Sequence, residues 1–164
     1  MRKIFVLAIV GVLMTIGASA QKIGYVNASE LLATMPDMVK ANKDLEVYAK
    51  TFEDAGKTMM TEYQTKADAF TKGEKTMSEA VKEVKYKEIM DLQKRIQDYD
   101  QSSQDKIEKK REELIKPVLE KAQKAIKDYG TANGYDYILN SEGILYAKDA
   151  DNVTAQIKAK LGAK

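Results

Sequence analysis

One stretch, from Pro36 to about Leu114, takes up nearly half of the chain and has the periodicity of long helices. Its apolar residues first recur at alternating steps of three and four, the spacing of a coiled coil. These positions are Met38, Ala41, Leu45, Tyr48, Phe52, Ala55 and Met59. The pattern stops around Gly73 and then resumes as far as Leu114. The stretch therefore predicts two long antiparallel helices joined by a short turn near Gly73.

The predicted hairpin is too thin to form a protein core. At 1.5 Å per residue, each of its helices would be roughly 54 Å long. A pair of helices of that length buries little apolar surface against itself, so we interpret residues 36–116 as an arm that projects from the rest of the protein.

The N-terminal residues have the composition of an export signal. Arg2 and Lys3 form a basic segment, the largely apolar run Ile4–Ile16 follows, and Ala18-Ser19-Ala20 is typical of a cleavage site. We therefore expect residues 1–20 to be a signal peptide, cleaved after Ala20. The alternative is an N-terminal anchor that stays in place. The sequence contains no cysteine, which excludes a lipid attached to an N-terminal Cys as well as disulfides.

The charge of the mature chain is balanced. Two of the 27 basic residues, Arg2 and Lys3, lie in the predicted signal, which leaves 25 basic residues against 25 acidic ones. Nucleic-acid-binding proteins usually carry a basic excess. We therefore expect no nucleic-acid partner, and we interpret most of the mixed charges as a solvated helix surface.

The residue types argue against an enzyme. The chain has no histidine and no cysteine, so the usual general base, the thiol nucleophile and most transition-metal ligands are missing. No G-x-x-x-x-G-K-[ST] loop is present to hold the phosphates of a nucleotide. We expect neither catalysis, nor a cofactor, nor a metal site, and we expect acidic pairs such as Glu112-Glu113 to face solvent.

The segment before the arm predicts a short strand followed by a short helix. Lys22–Asn27 is the strand, with Ile23 and Tyr25 on one face. Asn27 and Glu30 have the spacing of a capping box, in which Asn27 caps the helix and the Glu30 side chain reaches back. Met35-Pro36 should end this helix and begin the next one, since proline fits the first position of a helix.

The helical pattern of the return arm continues beyond Pro117. We therefore expect a kink or a restart at that residue, and an end of the helix near Gly130 or Gly134. Tyr135–Asn140 then alternates and is rich in aromatic and branched residues, which predicts a strand.

The last part of the chain predicts a β-hairpin and a final helix. Ser141–Gly143 is a tight-turn signal, and Ile144–Ala147 is the predicted partner strand. Lys148–Asn152 is polar and predicts a loop. Val153–Leu161 is amphipathic, and Asp151 is the expected N-cap.

The two ends of the mature chain together predict a small body, formed by residues 21–35 and 117–164. Such a body buries too little surface to be stable alone, and its few strands leave open edges. Both problems disappear if several chains share their strands. The residues expected on these oligomerisation strands are Ile23, Tyr25, Tyr137, Leu139, Ile144 and Tyr146. The fold class is therefore mostly α with a small β part.

The order of these segments resembles a known family. An export signal is followed by I-G-Y-V-N-A-S-E-L-L, then M-P, then the long hairpin, then G-Y-D-Y-I-L-N, I-L-Y-A and a final N-V-T-A-Q-I-K-A-K-L helix. This order is similar to that of the Skp/OmpH family of periplasmic chaperones, from Lys22 to Leu161. The end motifs carry the resemblance, because the hairpin itself is generic coiled coil.

The resemblance implies a jellyfish-like homotrimer located in the periplasm. A central β-barrel would be built from all three chains, and three helical tentacles would enclose a cavity. Members of the family hold unfolded outer-membrane proteins in that cavity without ATP and prevent their aggregation before membrane insertion. Basic tentacle tips in the family are linked to lipopolysaccharide. Because the charge here is balanced, we assign no such site, although the resemblance leaves room for a transient contact with the membrane surface.

Four apolar residues lie off the predicted seam of the hairpin: Val47, Met60, Tyr86 and Met90. Methionine is unbranched and polarisable, which suits weak and adaptable contacts with many clients. We hypothesise that these four residues face the cavity and touch the client. The alternative is that they are isolated exposed apolar residues without a role.

A second, non-enzymatic interpretation is a structural coiled-coil spacer of the cell envelope. A spacer would explain the hairpin, but it would not explain the aromatic strands at the two ends of the chain.

Overall fold

The computed structural model describes residues 21–163. The predicted signal peptide and its cleavage site lie outside the described residues. The chain begins with strand β1 (Ile23–Val26) and helix α1 (Ala28–Thr34). Asn27 caps α1 by accepting a hydrogen bond from the Glu30 backbone N–H at 2.9 Å, as predicted.

Half of the predicted capping box is wrong. The Glu30 side chain does not reach back; its Oε1 accepts a hydrogen bond from Lys158 Nζ at 3.2 Å. The Asn27 backbone N–H donates instead to Thr154 Oγ1 at 2.9 Å. The final helix therefore supplies both partners that local sequence would have supplied.

The long hairpin is confirmed. Helix α2 (Pro36–Gly73) has Pro36 in its first turn, and a short 3₁₀ turn, Glu74–Thr76, follows it directly. Helix α3 (Glu79–Ala132) returns antiparallel to α2. Ile89, Leu92 and Ile96 are buried in the seam between the two helices. Ala55, which we expected in this seam, is exposed, and Gly56 is half-buried instead.

Helix α3 is not interrupted at Pro117, so the predicted restart is wrong. A proline inside a helix removes one backbone hydrogen bond and costs about 3 kcal/mol. Burial of Val118 and Ala122 just beyond it offsets that cost, because both pack in the core of the body. The helix ends between the two glycines that mark its predicted end, with Asn133 as its C-cap and Gly134 at a φ of 66°.

Strand β2 (Tyr137–Asn140) pairs in parallel with β1, in the register Ile23 with Tyr137 and Tyr25 with Leu139. The whole hairpin is thus the crossover between two parallel strands. The predicted partner strand Ile144–Ala147 is wrong: Ser141–Gly143 forms a 3₁₀ turn, and residues 144–147 are irregular. β2 pairs instead with β1, which comes from the other end of the described chain, and residues 144–147 do not pair with it.

The chain ends with helix α4 (Thr154–Leu161). Its predicted N-cap, Asp151, is wrong, because Asn152 Oδ1 accepts the hydrogen bond from the Thr154 backbone N–H at 2.9 Å. Asp151 is instead the last residue of a 3₁₀ turn. As expected, Val153, Ile157 and Leu161 share one side and are buried.

The core of the body lies where α1, the base of the hairpin and α4 meet. Leu31, Met35 and Ile157 are fully buried there. Gly130 lets β2 approach α3 closely, because a Cβ at that position would lie 3.3 Å from Ile138 Cδ1. The body thus packs one of its faces well, and the arm leaves it as a pair of helices.

Candidate functional site

One flank of the hairpin carries an open groove of about 690 Å³ between α2 and α3. The less exposed lining residues are mostly apolar: Ala49, Phe52, Gly56, Ile96, Tyr99, Ser103 and Ile107. The exposed ones are mostly charged or polar: Glu46, Lys50, Glu53, Lys57, Met60, Asp100 and Gln104. We call this site the arm groove. It has the size of a small-molecule pocket and an apolar floor between polar rims.

Small residues make room for the arm groove. Gly56 stands at a seam position, and a Cβ there would reach only Tyr99 Cε1, at 3.9 Å. The large side chains gather beside it: the Phe52 ring lies 5.1 Å from Tyr48 and 6.2 Å from Tyr99, between ring centroids. The Tyr99 hydroxyl donates to the Phe52 carbonyl at 3.4 Å. The three aromatic rings therefore cluster beside the space that Gly56 leaves unfilled.

Ser103 is the unusual residue of the arm groove. It is 7% exposed, and its Oγ has no hydrogen-bond partner among the described residues. A buried hydroxyl without a partner is costly, since burial removes its bonds to water. Sequence reasoning missed this residue, because a serine in a charged helix gives no signal of burial by itself.

An ion pair marks one rim of the arm groove. The Lys57 ammonium donates to the Glu53 carboxylate one helical turn away. This hydrogen bond and the positive charge of Lys57 lower the pKa of Glu53, and the same contact raises the pKa of Lys57. Both groups are exposed, so the pair orders the rim more than it stabilises the fold.

Two lysines near the tip of the arm form ion pairs with glutamates. Lys66 lies 3.5 Å from Glu88 of the opposite helix, and Lys82 lies 2.8 Å from Glu79. The hydrogen bond from Lys82 to Glu79 raises the pKa of Lys82.

The four residues expected to touch a client are all exposed, at 60% for Val47, 48% for Met60, 57% for Tyr86 and 44% for Met90. The structure places only Met60 in the arm groove. Tyr86 leans towards the seam, with its ring 6.5 Å from that of Phe70. The arm groove therefore does not bring the four residues together, and their role stays a prediction.

A second apolar surface lies on the body. Five of the six residues expected on the oligomerisation strands line one open pocket of about 320 Å³: Ile23, Tyr25, Leu139, Ile144 and Tyr146. Tyr137 lies outside this pocket and is 53% exposed. We call this surface, with the adjacent Leu145, the body face.

Leu145 is the most exposed residue of the body face, and sequence reasoning missed it. The segment Ile144–Ala147 was expected to be a strand, which would have turned Leu145 to the side opposite Ile144 and Tyr146. In the irregular segment both Leu145 and Tyr146 are exposed, and Tyr146 reaches 84%. Nothing among residues 21–163 covers the exposed Leu145 and Tyr146 side chains of this face.

Two further properties concern the part of the chain that the structure describes. None of its helices combines the length and the apolar character needed to cross a bilayer. Within residues 21–163, no three acidic side chains gather closely enough to hold a metal ion.

Comparisons with known proteins agree with one another. The family model described as Outer membrane protein (OmpH-like) matches residues 22–161. The chain is 27% identical over 164 residues to the Chaperone protein Skp of Photorhabdus luminescens, covering 96% of this chain and 97% of the relative. It is 24% identical over 160 residues to the Chaperone protein Skp of Pectobacterium atrosepticum, with the same coverage.

A solved structure has the same fold. It is an outer membrane chaperone described as OmpH-like, from Caulobacter crescentus. The TM-score is 0.78 at 14% identity, over 88% of this chain and 86% of that one. These relatives favour a chaperone over the envelope spacer.

Proposed function

The chain belongs to the OmpH-like family of outer membrane proteins, and on this premise we propose that it is an ATP-independent periplasmic holdase chaperone. It binds unfolded outer-membrane proteins and prevents their aggregation before membrane insertion. Three copies share their strands in a small β-barrel, and their arms surround a cavity that receives the client.

The observation that carries this proposal is the apolar body face at the base of a projecting arm. Leu145 and Tyr146 are exposed there, at 105% and 84%, beside Leu139 at 45%. Monomeric soluble proteins rarely leave such a continuous apolar surface uncovered. Copies of the chain that meet through this face would direct their arms from one common body, which is what a cavity requires.

Client contacts in this proposal are weak and numerous. Val47, Met60, Tyr86 and Met90 supply apolar contacts on both helices of the arm, and the two methionines adapt to side chains of different shape. Since no nucleotide is used, release follows from the client's own folding in the membrane, which is more favourable than many weak contacts.

The first experiment measures the mass of the mature protein by analytical ultracentrifugation and its effect on an unfolded outer-membrane β-barrel diluted from urea. We expect the mass of three chains and suppression of light scattering at a stoichiometric ratio. A folded single copy would contradict the assembly, and an envelope spacer would leave the scattering unchanged.

A second experiment tests the contact residues. The double variant Met60→Ser/Met90→Ser should suppress aggregation less well than the native protein. Val39→Ser/Val84→Ser is the matched control, because both valines are 58% exposed and lie on the same two helices. Equal suppression by both variants would show that the methionines are not the contact.

A further inference from the structure

We infer that copies of the chain join head to tail by strand addition: residues 144–147 of one copy pair with the open edge of β2 in the next copy, and Leu145 enters a pocket beside that edge. This inference rests on the proposed function and deepens it, because it says which surface of one copy meets which surface of another. We call residues 144–147 the donor segment.

The small sheet of the body has one covered edge and one open edge. On the β1 side, the Val153 backbone N–H donates to the Tyr25 carbonyl at 2.9 Å. On the other side, β2 pairs with no described strand except β1. The Tyr137 backbone N–H donates to the Lys22 carbonyl on the β1 side, and consecutive residues of a strand direct their backbone groups to alternate edges. Ile138 therefore presents its N–H and C=O groups at the open edge, which is a template for pairing with another chain.

A pocket of about 340 Å³ lies beside this open edge, between β2 and α3. Its less exposed lining residues are mostly apolar: Ile126, Gly130, Tyr135 and Ile138. Its exposed lining residues are mostly polar: Gln123, Lys127, Thr131, Asp136 and Tyr137. We call this site the edge pocket. A strand added to β2 runs along the edge pocket and directs every second side chain into it.

The donor segment has the composition of a strand but pairs with no described residue. Leu145, Tyr146 and Ala147 make no backbone hydrogen bond within residues 21–163. The backbone is already extended at Ile144, with φ −113° and ψ 118°, and at Lys148, with φ −79° and ψ 140°. The donor segment is as long as β2, which has four residues, so it can cover the whole open edge.

The alternation of side chains accounts for the exposure of Leu145. In an extended donor segment, Ile144 and Tyr146 point to one face and Leu145 points to the other. Beside β2 of the next copy, Ile144 and Tyr146 extend the apolar face that Leu139 begins, and Leu145 points to the opposite face, where the edge pocket lies. Leu145 is 105% exposed in the single chain, and this contact buries it.

The two surfaces lie on different sides of the same body. Ile144 and Tyr146 line one pocket with Ile23 and Tyr25 of β1, so the donor segment lies away from the open edge of its own β2. Two different surfaces that fit each other make a head-to-tail contact, which closes into a ring when the rotation between copies allows it. In the ring of three copies, each β2 edge is paired. A client strand on the same edge is the competing occupant.

The absence of cysteine makes engineered thiols a specific probe of this contact. The double variant Leu145→Cys/Thr131→Cys places one thiol on the donor segment and one in the edge pocket, at two exposed residues. The mature protein is treated with a short bis-maleimide and separated on a denaturing gel. We expect covalent species of two and three chains, because each copy reacts with both of its neighbours.

Leu145→Cys/Ala132→Cys is the matched control. Ala132 directly follows Thr131 and is exposed, but it does not line the edge pocket. We expect most of this variant to stay at the mass of one chain. Equal cross-linking of both double variants would overturn the inference. So would a species of two chains from Leu145→Cys alone, because the same surface would then meet itself.

The mass of the native protein separates this inference from the proposed function. An oligomer in which Leu145→Cys/Thr131→Cys gives no cross-link refutes the inference alone, and it leaves the β2 edge open to a client strand. A native protein that sediments as one chain refutes the assembly in the proposed function, and the inference with it.

Leu145→Gln tests the edge pocket without a cross-linker. It should raise the dissociation constant of the assembly at least about tenfold, because one buried leucine side chain supplies a factor of that size. Val84→Gln is the control near the tip of the arm, where the valine is 58% exposed, and it should dissociate like the native protein. Both residues are exposed in the single chain, so neither change disturbs its fold. Equal dissociation of the two variants on dilution would contradict the role of Leu145.

Discussion

The body and the arm are incomplete in different ways. The body buries Leu31, Met35 and Ile157 completely on one side and leaves Leu145 and Tyr146 uncovered on the other. In the distal arm, Ile89, Leu92 and Ile96 are the buried apolar residues that the structure describes. The difference suggests a division of labour. In the proposed function, the body face binds a partner that is always the same, another copy, whereas the arm meets clients of many sequences.

The strongest test of this comparison places a charge on the body face. Leu139→Asp should dissociate the assembly, because a carboxylate buried without a partner costs several kcal/mol at each contact. Val47→Asp is the control on the arm, where the valine is 60% exposed. Ultracentrifugation should give the mass of one chain for Leu139→Asp and the native mass for Val47→Asp. Native mass for both would show that the body face is not the contact between copies.

The second test compares the core of the body with the seam of the arm. Ile157→Ala should destabilise the body by about 2–5 kcal/mol, because it leaves a cavity in a closed core. Ile96→Ala should cost about 1–2 kcal/mol, since the thin arm lets water fill the space and only transfer free energy is lost. Urea unfolding of both variants measures the difference. An equal cost would mean that the arm is packed as tightly as the body.

The third test uses two glycines whose substitutions should have opposite signs. Gly24→Ala in β1 should destabilise the protein by about 1–3 kcal/mol, because its Cβ would lie 2.8 Å from Tyr135 Cε1 and 3.3 Å from the Asp151 carbonyl oxygen. Gly56→Ala should stabilise the arm by about 0.5–1 kcal/mol, since its Cβ meets ordinary contact distances. Hydrogen exchange localises each effect, and effects of the same sign would contradict the comparison.

The smallest effect should come from the rim of the arm groove. The hydrogen bond from Lys57 lowers the pKa of Glu53, so its stabilisation is present above the pKa of an unfolded glutamate, about 4.3, and is lost as the pH falls through the lower folded pKa. Nuclear magnetic resonance titration should find this lowered pKa. It should return towards the ordinary value in Lys57→Gln or in about 1 M salt, because screening weakens an exposed pair. If the pKa of Glu53 stays the same in Lys57→Gln and in high salt, the ion pair with Lys57 is not its cause.

Sequence reasoning predicted those elements whose signals are local and repeated. The apolar spacing and Gly73 located both helices and the turn of the hairpin, and Met35-Pro36 located the break before it. The predictions for the body failed wherever distant residues compete with local ones for the same contact. Glu30 and Asp151 had suitable cap spacing, but Lys158 and Asn152 determined the contacts that form.

The strand pairing and the arm groove were beyond reach for a related reason. The run Ile144–Ala147 has the composition of a strand, but parallel pairing of β2 with β1 depends on residues over a hundred positions apart. The groove depends on Gly56 lying opposite Tyr99 across the two helices. Periodicity reports the face of a helix that is buried, and it does not report which residues meet across the seam.

The parallel pairing of β1 and β2 determines the order in which this protein can be completed. The Lys22 backbone N–H donates to Asp136 Oδ2 at 2.7 Å, across a separation of 114 residues. In a chain that crosses a membrane N-terminus first, β1 therefore stays unpaired until nearly the whole chain has crossed. The arm can fold earlier, because its contacts begin at a local turn. The surface through which copies would recognise each other is therefore the last part to be completed in such a passage.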